Sequence, residues 1–433
     1  MGILVVLAAV AVEIAFALYC ISTRSYQSRA RSIIRIAAFA GLVLLAVLPV
    51  IDWSFRYYAL AALLLLLAVL GAISLLRKKE EEHAYSAARV AVRGAGMTAL
   101  IFVVTLPAII FPQYSPLEPT GQYRVATASY TYTDTNRIET YTNTGDYRKL
   151  NVELWYPDDA GGTYPLIVFS HGSLGTKTSN ETLYTELASH GYVVCSIDHT
   201  YQCFFTTGED GHTAFLNPDF MQELMAELNG SDRQFSHACY QKWMGIRMGD
   251  IDCVLDHILS EARDSAADRA YRLVDTARIG VMGHSLGGSA ALGIGRARPD
   301  IGAVMALESP FMYDIEGVEN GEFAFTDAPY PVPVLNVYSD DSWGHLGEWP
   351  QYAENHALLA GTNPAAFNVH IGGVGHLSLT DLSLASPILT RLLNGHASTT
   401  GAADCLEAIN RACLRFFDCY LKGQGTFSSA GTY

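Results

Sequence analysis

The chain has 433 residues, enough for more than one domain; half of them are hydrophobic and only 16% are charged. Residues 1–114 carry ten Lys/Arg against five Asp/Glu, and the remainder carries eighteen against thirty-eight. That acidic remainder lacks the basic surface that nucleic-acid phosphates require, which argues against nucleic acid as a partner.

Four apolar stretches come first: Gly2–Ile21, Ile33–Ile51, Tyr58–Leu76 and Gly94–Phe111. Each is near the ~20 residues a helix needs to cross a bilayer. The first has neither a basic lead-in nor a small-x-small cleavage site, so it reads as a span and not as a signal peptide. Arg24, Arg29, Arg31 and Arg35 crowd the first loop, and Arg77, Lys78, Lys79, Arg89 and Arg93 the third. The excess of basic residues places those loops in the cytoplasm and everything after Phe111 outside. Glu13, inside the first span, reads as facing the helix bundle or sitting near the membrane interface. The expected organisation is a transmembrane module at 1–112, a Pro-rich linker at 113–122, a catalytic domain at 123–422 and a disordered tail at 423–433. A linker of ten residues reaches at most ~35 Å. The expected location is the plasma membrane, with the catalytic domain extracytoplasmic.

Beyond the linker, Tyr123–Tyr132, Arg137–Tyr141 and Leu150–Tyr156 alternate with period two and predict antiparallel strands. Pro165–Gly172 is an apolar strand that ends in His171-Gly172. Glu181–His190 reads as a helix and Gly191–Asp198 as the next strand, and strand-helix-strand implies parallel pairing. Residues 199–235 show no clear period and read as a loop or cap near a substrate pocket, with Phe204 and Phe205 as candidate acyl-pocket residues. Gln234–Ala262 is helical, with Met248, Ile251, Val254, Leu255 and Ile258 on one face.

The most informative stretch is Arg278–Gly288. Ile279–Met282 is a strand, Gly283-His284-Ser285-Leu286-Gly287 fits G-x-S-x-G, and a small-residue helix follows. In that context the motif is a nucleophile elbow, with Ser285 as nucleophile and the Leu286 N–H as an oxyanion donor. The backbone just beyond His171-Gly172 supplies the second donor, placed at Ser173, with Leu174 as the alternative. Three further apolar strands follow, Ile301–Leu307, Pro331–Tyr338 and Phe367–Ile371. His376, in the glycine-rich loop after the last of them, is the general base, whereas His370 inside that strand is structural. The acid that offsets the imidazolium charge is either Glu308 or Asp340/Asp341. Spacing alone leans to the later pair.

Tyr164–Gly172, Leu187–Val194, Arg278–Gly288 and Gly375-His376 followed by Asp381 resemble the platelet-activating factor acetylhydrolases, a family of lipase-type serine esterases. The resemblance runs over about residues 150–395. It implies an α/β-hydrolase fold, a mostly parallel sheet with helices on both faces, here preceded by the four-helix transmembrane module. In that family the acid follows the strand after the elbow helix, in an Ala-Leu-Asp context. Ala306-Leu307-Glu308 stands at that place, so the resemblance moves the choice to Glu308. It also implies hydrolysis of short sn-2 acyl groups of phospholipids.

The outer region holds seven of the eight cysteines and no CxxC pattern or metal-like His/Cys cluster, so neither cofactor nor metal is expected. The reading is a membrane-anchored serine esterase acting through an acyl-enzyme, its partners an ester or lipid substrate and membrane lipid. A carboxylesterase on soluble esters and an acyltransferase with the same triad are the alternatives.

Overall fold

The computed structural model describes residues 2–77, 85–159, 161–361 and 365–428. They divide into two compact units: residues up to Ser115 with Leu384–Leu392, and Pro116–Ser383 with everything from Leu393 on.

The first unit contains α1 (Gly2–Ser22), α2 (Ser28–Val47), α3 (Phe55–Arg77) and α4 (Ala87–Ile110). All four are long and apolar enough to cross a membrane. The helices α2 and α4 start five and seven residues before the apolar stretches read from sequence. Their first turns therefore carry basic residues, Arg29 and Arg31 in α2 and Arg89 in α4. Ser86 caps α4 by accepting the Arg89 N–H. Backbones of α2 and α3 come close at Gly71, where a Cβ would stand 2.9 Å from the Ser32 carbonyl oxygen. Glu13 is half-buried and lines a groove of about 970 Å³ between α1 and α4, so it faces neither fully inward nor fully outward. Lys78 and Lys79 lie outside the described residues. Leu384–Leu392 joins this unit, where the Ser386 hydroxyl donates to the Ile110 carbonyl at 2.6 Å.

The second unit is built on one eight-stranded sheet. Its strands are β1 (Val125–Ile138), β2 (Tyr147–Pro157), β3 (Tyr164–Ser170), β4 (Val193–Asp198), β5 (Val274–His284), β6 (Ile301–Leu307), β7 (Val334–Tyr338) and β8 (Ala366–His370). The order across the sheet is 1-2-4-3-5-6-7-8. The strand β2 pairs antiparallel with both β1 and β4, and every other pairing in the sheet is parallel. The parallel strands are buried on both faces, which is why Leu166–Phe169 and Val193–Ile197 read as unbroken apolar or small runs. The main helices packed on the sheet are α5 (Glu181–Ser189), α6 (Arg233–Glu261), α7 (Leu286–Ala297) and α8 (Ala402–Tyr420).

Two expectations are corrected. One continuous strand, β1, with an irregularity between Asp134 and Ile138, takes in the first alternating stretch and the start of the second. Residues 199–235 are not a structureless cap: they hold a hairpin, Phe205–Thr207 with Thr213–Phe215, and a helix, Pro218–Leu228. Asn217 caps that helix, accepting the N–H groups of Asp219 and Phe220. A second hairpin, Ile315–Glu319 with Glu322–Phe325, follows β6. Strands of three to five residues are too short for a period to register. The six residues 423–428 have no helix or strand, and the rest of the expected tail lies outside the described residues.

Candidate active site

Ser285 sits where β5 turns into α7, at the C-terminal edge of the parallel strands. Its backbone is at φ 54°, ψ −126°, a conformation that L-residues rarely adopt, and its N–H is tied to the Leu307 carbonyl at 2.8 Å. The neighbouring glycines are a packing requirement. A Cβ at Gly287 would stand 2.1 Å from the Ser170 carbonyl oxygen, and one at Gly283 would stand 2.5 Å from the Gly287 backbone. The strand and helix therefore cross at backbone contact, and the serine side chain is pushed out of the turn, half-exposed. As the first residue of α7, Leu286 has no intrahelical acceptor for its N–H.

The loop after β3 lies against this turn. A Cβ on Gly172 would be 3.3 Å from the Ser285 Cβ and 2.7 Å from the His284 Nδ1. Leu174 is left-handed at φ 64°, and its N–H donates to the Gln202 carbonyl at 3.3 Å. That hydrogen bond removes Leu174 as an oxyanion donor. Ser173, half-buried, has an N–H with no partner among the described residues.

Glu308 follows β6 directly, in another left-handed conformation, φ 50°, and is 2% exposed. Its carboxylate accepts the Ser339 N–H at 3.0 Å and the Ser339 hydroxyl at 2.8 Å. His376 Nδ1 stands 3.9 Å from the Glu308 Oε2, within ion-pair reach but longer than a formed hydrogen bond. Burial alone would raise the Glu308 carboxyl; the His376 imidazole and the Ser339 donors outweigh it and hold the group at about 2.

Asp340 and Asp341 are committed elsewhere. Asp340 accepts from His370 Nε2 and from the Gly373 N–H, both at 2.8 Å. Asp341 accepts the backbone N–H of His376 at 2.6 Å and His396 Nε2 at 2.7 Å. Both carboxylates shape the histidine loop, and neither is paired with the Nδ1 of His376. The His376 carbonyl also accepts from His284 Nε2 at 3.2 Å, so the residue before Ser285 holds the loop that carries His376. Burial pushes His284 down to about 3, which keeps it neutral and able to donate that bond.

Sequence reasoning overlooked Ser339, Asp341 and His284 as supports; nothing in their spacing marks them. Phe204 and Phe205 are 63% and 47% exposed and do not form a closed acyl pocket, although the Phe204 N–H bonds the Gly175 carbonyl at 3.1 Å. All eight cysteines are free thiols. His171, Asp198 and Cys203 bring three ligand-type atoms within 4.8 Å of one another. They do not fit a metal. His171 Nδ1 is bonded to the Gly172 carbonyl and its Nε2 to the His199 N–H. Asp198 accepts from Lys177 N–H and Thr206, and burial pushes the Cys203 thiol up to about 12.

Residues 129–235 match the family described as platelet-activating factor acetylhydrolase, isoform II. Platelet-activating factor acetylhydrolase of Cavia porcellus is 22% identical over 279 residues, 61% of this chain and 59% of that protein. The chain is similar to the platelet-activating factor acetylhydrolases over these segments, and it has an α/β-hydrolase fold. Cutinase est1 of Thermobifida alba is 29% identical over 154 residues, 36% of this chain and 38% of that protein. The chain thus spans about two-fifths to three-fifths of these curated relatives. A ferulic acid esterase from Streptomyces cinnamoneus shares the fold, with a TM-score of 0.54 at 21% identity over 71% of this chain and 93% of that one.

Proposed function

We propose that this protein is a membrane-anchored serine esterase that cleaves carboxylic esters through an acyl-enzyme. The observation that carries the reading is the strained turn holding Ser285 beside the Glu308–His376 pair. In the proposed cycle His376 takes the proton of the Ser285 hydroxyl as its oxygen attacks the ester carbonyl. Charge develops on the carbonyl oxygen, which the N–H groups of Ser173 and Leu286 receive. Glu308 offsets the imidazolium. His376 then gives its proton to the departing alcohol, and a water repeats the sequence on the acyl-Ser285. Every proton is moved by the chain's own residues. The relatives that carry the names acetylhydrolase, cutinase and ferulic acid esterase support an ester substrate.

Four spans in the same chain as the hydrolase fold favour an amphiphilic ester as substrate, and short sn-2 acyl groups of phospholipids fit the family likeness. The basic first and third loops favour an extracytoplasmic hydrolase at the plasma membrane.

The test uses the full chain in detergent. Ser285→Ala abolishes p-nitrophenyl acetate hydrolysis and fluorophosphonate labelling while the melting curve is kept; normal turnover by this variant sinks the assignment. Alkaline phosphatase fused at residue 120 is active outside the cytoplasm; an inactive fusion with a cytoplasmic signal overturns the topology. Turnover of vesicle-embedded short-chain phosphatidylcholine exceeds that of matched monomeric esters; equal rates remove the lipid role.

A further inference from the structure

Behind the loop that carries Ser173 lies a cation with no ion-pair partner among the described residues. Arg247, on α6, is fully buried. Its Nη1 donates to the carbonyl of His171. Its Nε donates to the side-chain oxygen of Gln202 at 2.8 Å, while its Nη2 is buried without a hydrogen-bond partner. Among the described residues no carboxylate lies within 4 Å of it. Asp250, one turn along the same helix, is already held by Arg137, Arg148 and His199.

A buried, unpaired guanidinium is destabilising, and an apolar side chain of similar volume would serve the core better. Burial accordingly draws its pKa down to about 9, although a guanidinium still keeps its proton at neutral pH. What the cation touches gives it a use. The His171 carbonyl is the last acceptor before Gly172 and Ser173. The same oxygen lies against the elbow, 2.4 Å from where a Cβ on Gly287 would be. Gln202, itself fully buried, receives the guanidinium on its side chain and the strained Leu174 N–H on its backbone carbonyl. Its amide also donates to the Tyr141 hydroxyl at 3.2 Å. The guanidinium thus fixes both ends of the Gly172–Ser173 segment, one directly and one through Gln202.

We propose that Arg247 is a positioning residue for the oxyanion hole, holding the Ser173 N–H in place through the His171 carbonyl and the Gln202–Leu174 link. Its fixed positive charge behind the loop also favours the anion that forms in front of it. This inference rests on the esterase reading. The orphan Nη2 leaves the cation less tightly satisfied than its neighbours Arg137 and Arg148, each of which is ion-paired.

The test compares Arg247→Met and Arg247→Lys with wild type as full chains in detergent. Arg247→Met lowers kcat on p-nitrophenyl acetate about a hundredfold with KM nearly unchanged, the loss expected when an oxyanion donor is misplaced. Affinity for an alkyl boronic acid, which forms a tetrahedral anion on Ser285, falls by the same factor as kcat/KM. Arg247→Lys keeps the charge and one hydrogen bond, so its loss in kcat is smaller, about tenfold. If Arg247→Met does not fold, Arg247→Lys decides alone: a tenfold loss in kcat matched by weaker boronate binding supports the inference. Wild-type kcat in a folded Arg247→Met, or in Arg247→Lys when that variant stands alone, overturns it. So does a loss carried by KM, or unchanged boronate affinity. Failure of Ser285→Ala to abolish activity would instead remove the esterase reading beneath it.

Discussion

Replacing Glu308 by Gln tests the site and the fold together. The Glu308 carboxyl, 2% exposed, is held at about 2 against an ordinary value near 4.5. That difference corresponds to about 3 kcal/mol of folding free energy. Because the folded value is depressed, this stability is fully present above about pH 4.5 and is lost as pH falls toward 2. The glutamine of Glu308→Gln is isosteric but cannot carry the charge, so the variant lacks this contribution at every pH. At pH 7 the variant should therefore be less stable by about 3 kcal/mol, and the gap should close between about pH 4.5 and 2. Catalysis should suffer more, because a neutral amide neither offsets the imidazolium nor selects the right tautomer; a loss of about 10⁴ in kcat is the expected scale. Thermal melts of both proteins in detergent from pH 2 to 7, with p-nitrophenyl acetate kinetics at pH 7.5, give both numbers. A stability gap that does not change with pH, or a kcat within fivefold of wild type, refutes the reasoning and returns the acid to the later strand.

Other outcomes follow from the same geometry. Ser285→Gly removes a non-glycine residue from a positive-φ turn, so it should abolish turnover yet raise stability by about 1 kcal/mol, read as a higher melting temperature. Gly287→Ala places a methyl 2.1 Å from a backbone oxygen and should cost either folding yield or nearly all activity, measured by soluble expression and fluorophosphonate labelling. Asp340→Asn and Asp341→Asn should each lower kcat less than tenfold, because their partners are the histidine loop's backbone and surface imidazoles and not the reacting nitrogen. A larger effect at either position than at Glu308 would invert the assignment.

The elbow was legible in sequence because strand, turn and helix lie within about twenty residues and the glycines flank Ser285 at fixed offsets. His376 stood out from its place after the final strand, and the structure brings its Nδ1 within 3.9 Å of Glu308. The acid was not settled by spacing, since Glu308 and Asp340/Asp341 both follow parallel strands. Two facts separate them in space: Glu308 approaches His376 Nδ1, and Asp341 is spent on the His376 backbone. The Arg247 brace was invisible because its partners lie 45 and 76 residues away in sequence. The helix at Pro218–Leu228 was missed although its signal was present: Asn217-Pro218 is a cap followed by proline at the first helical position.

Leu384–Leu392 has a practical consequence for anyone wishing to handle the hydrolase alone. The chain leaves the helical unit at Ser115, yet only eight residues after His376 it supplies another piece of that unit. Deleting the four spans would therefore not yield a clean soluble enzyme. It would strand a segment whose Ile388 and Leu392 are already 48% and 70% exposed, and it would delete the Ile110 carbonyl that the Ser386 hydroxyl binds. A truncated protein cut near residue 113 should self-associate unless Ile388 and Leu392 are also made polar.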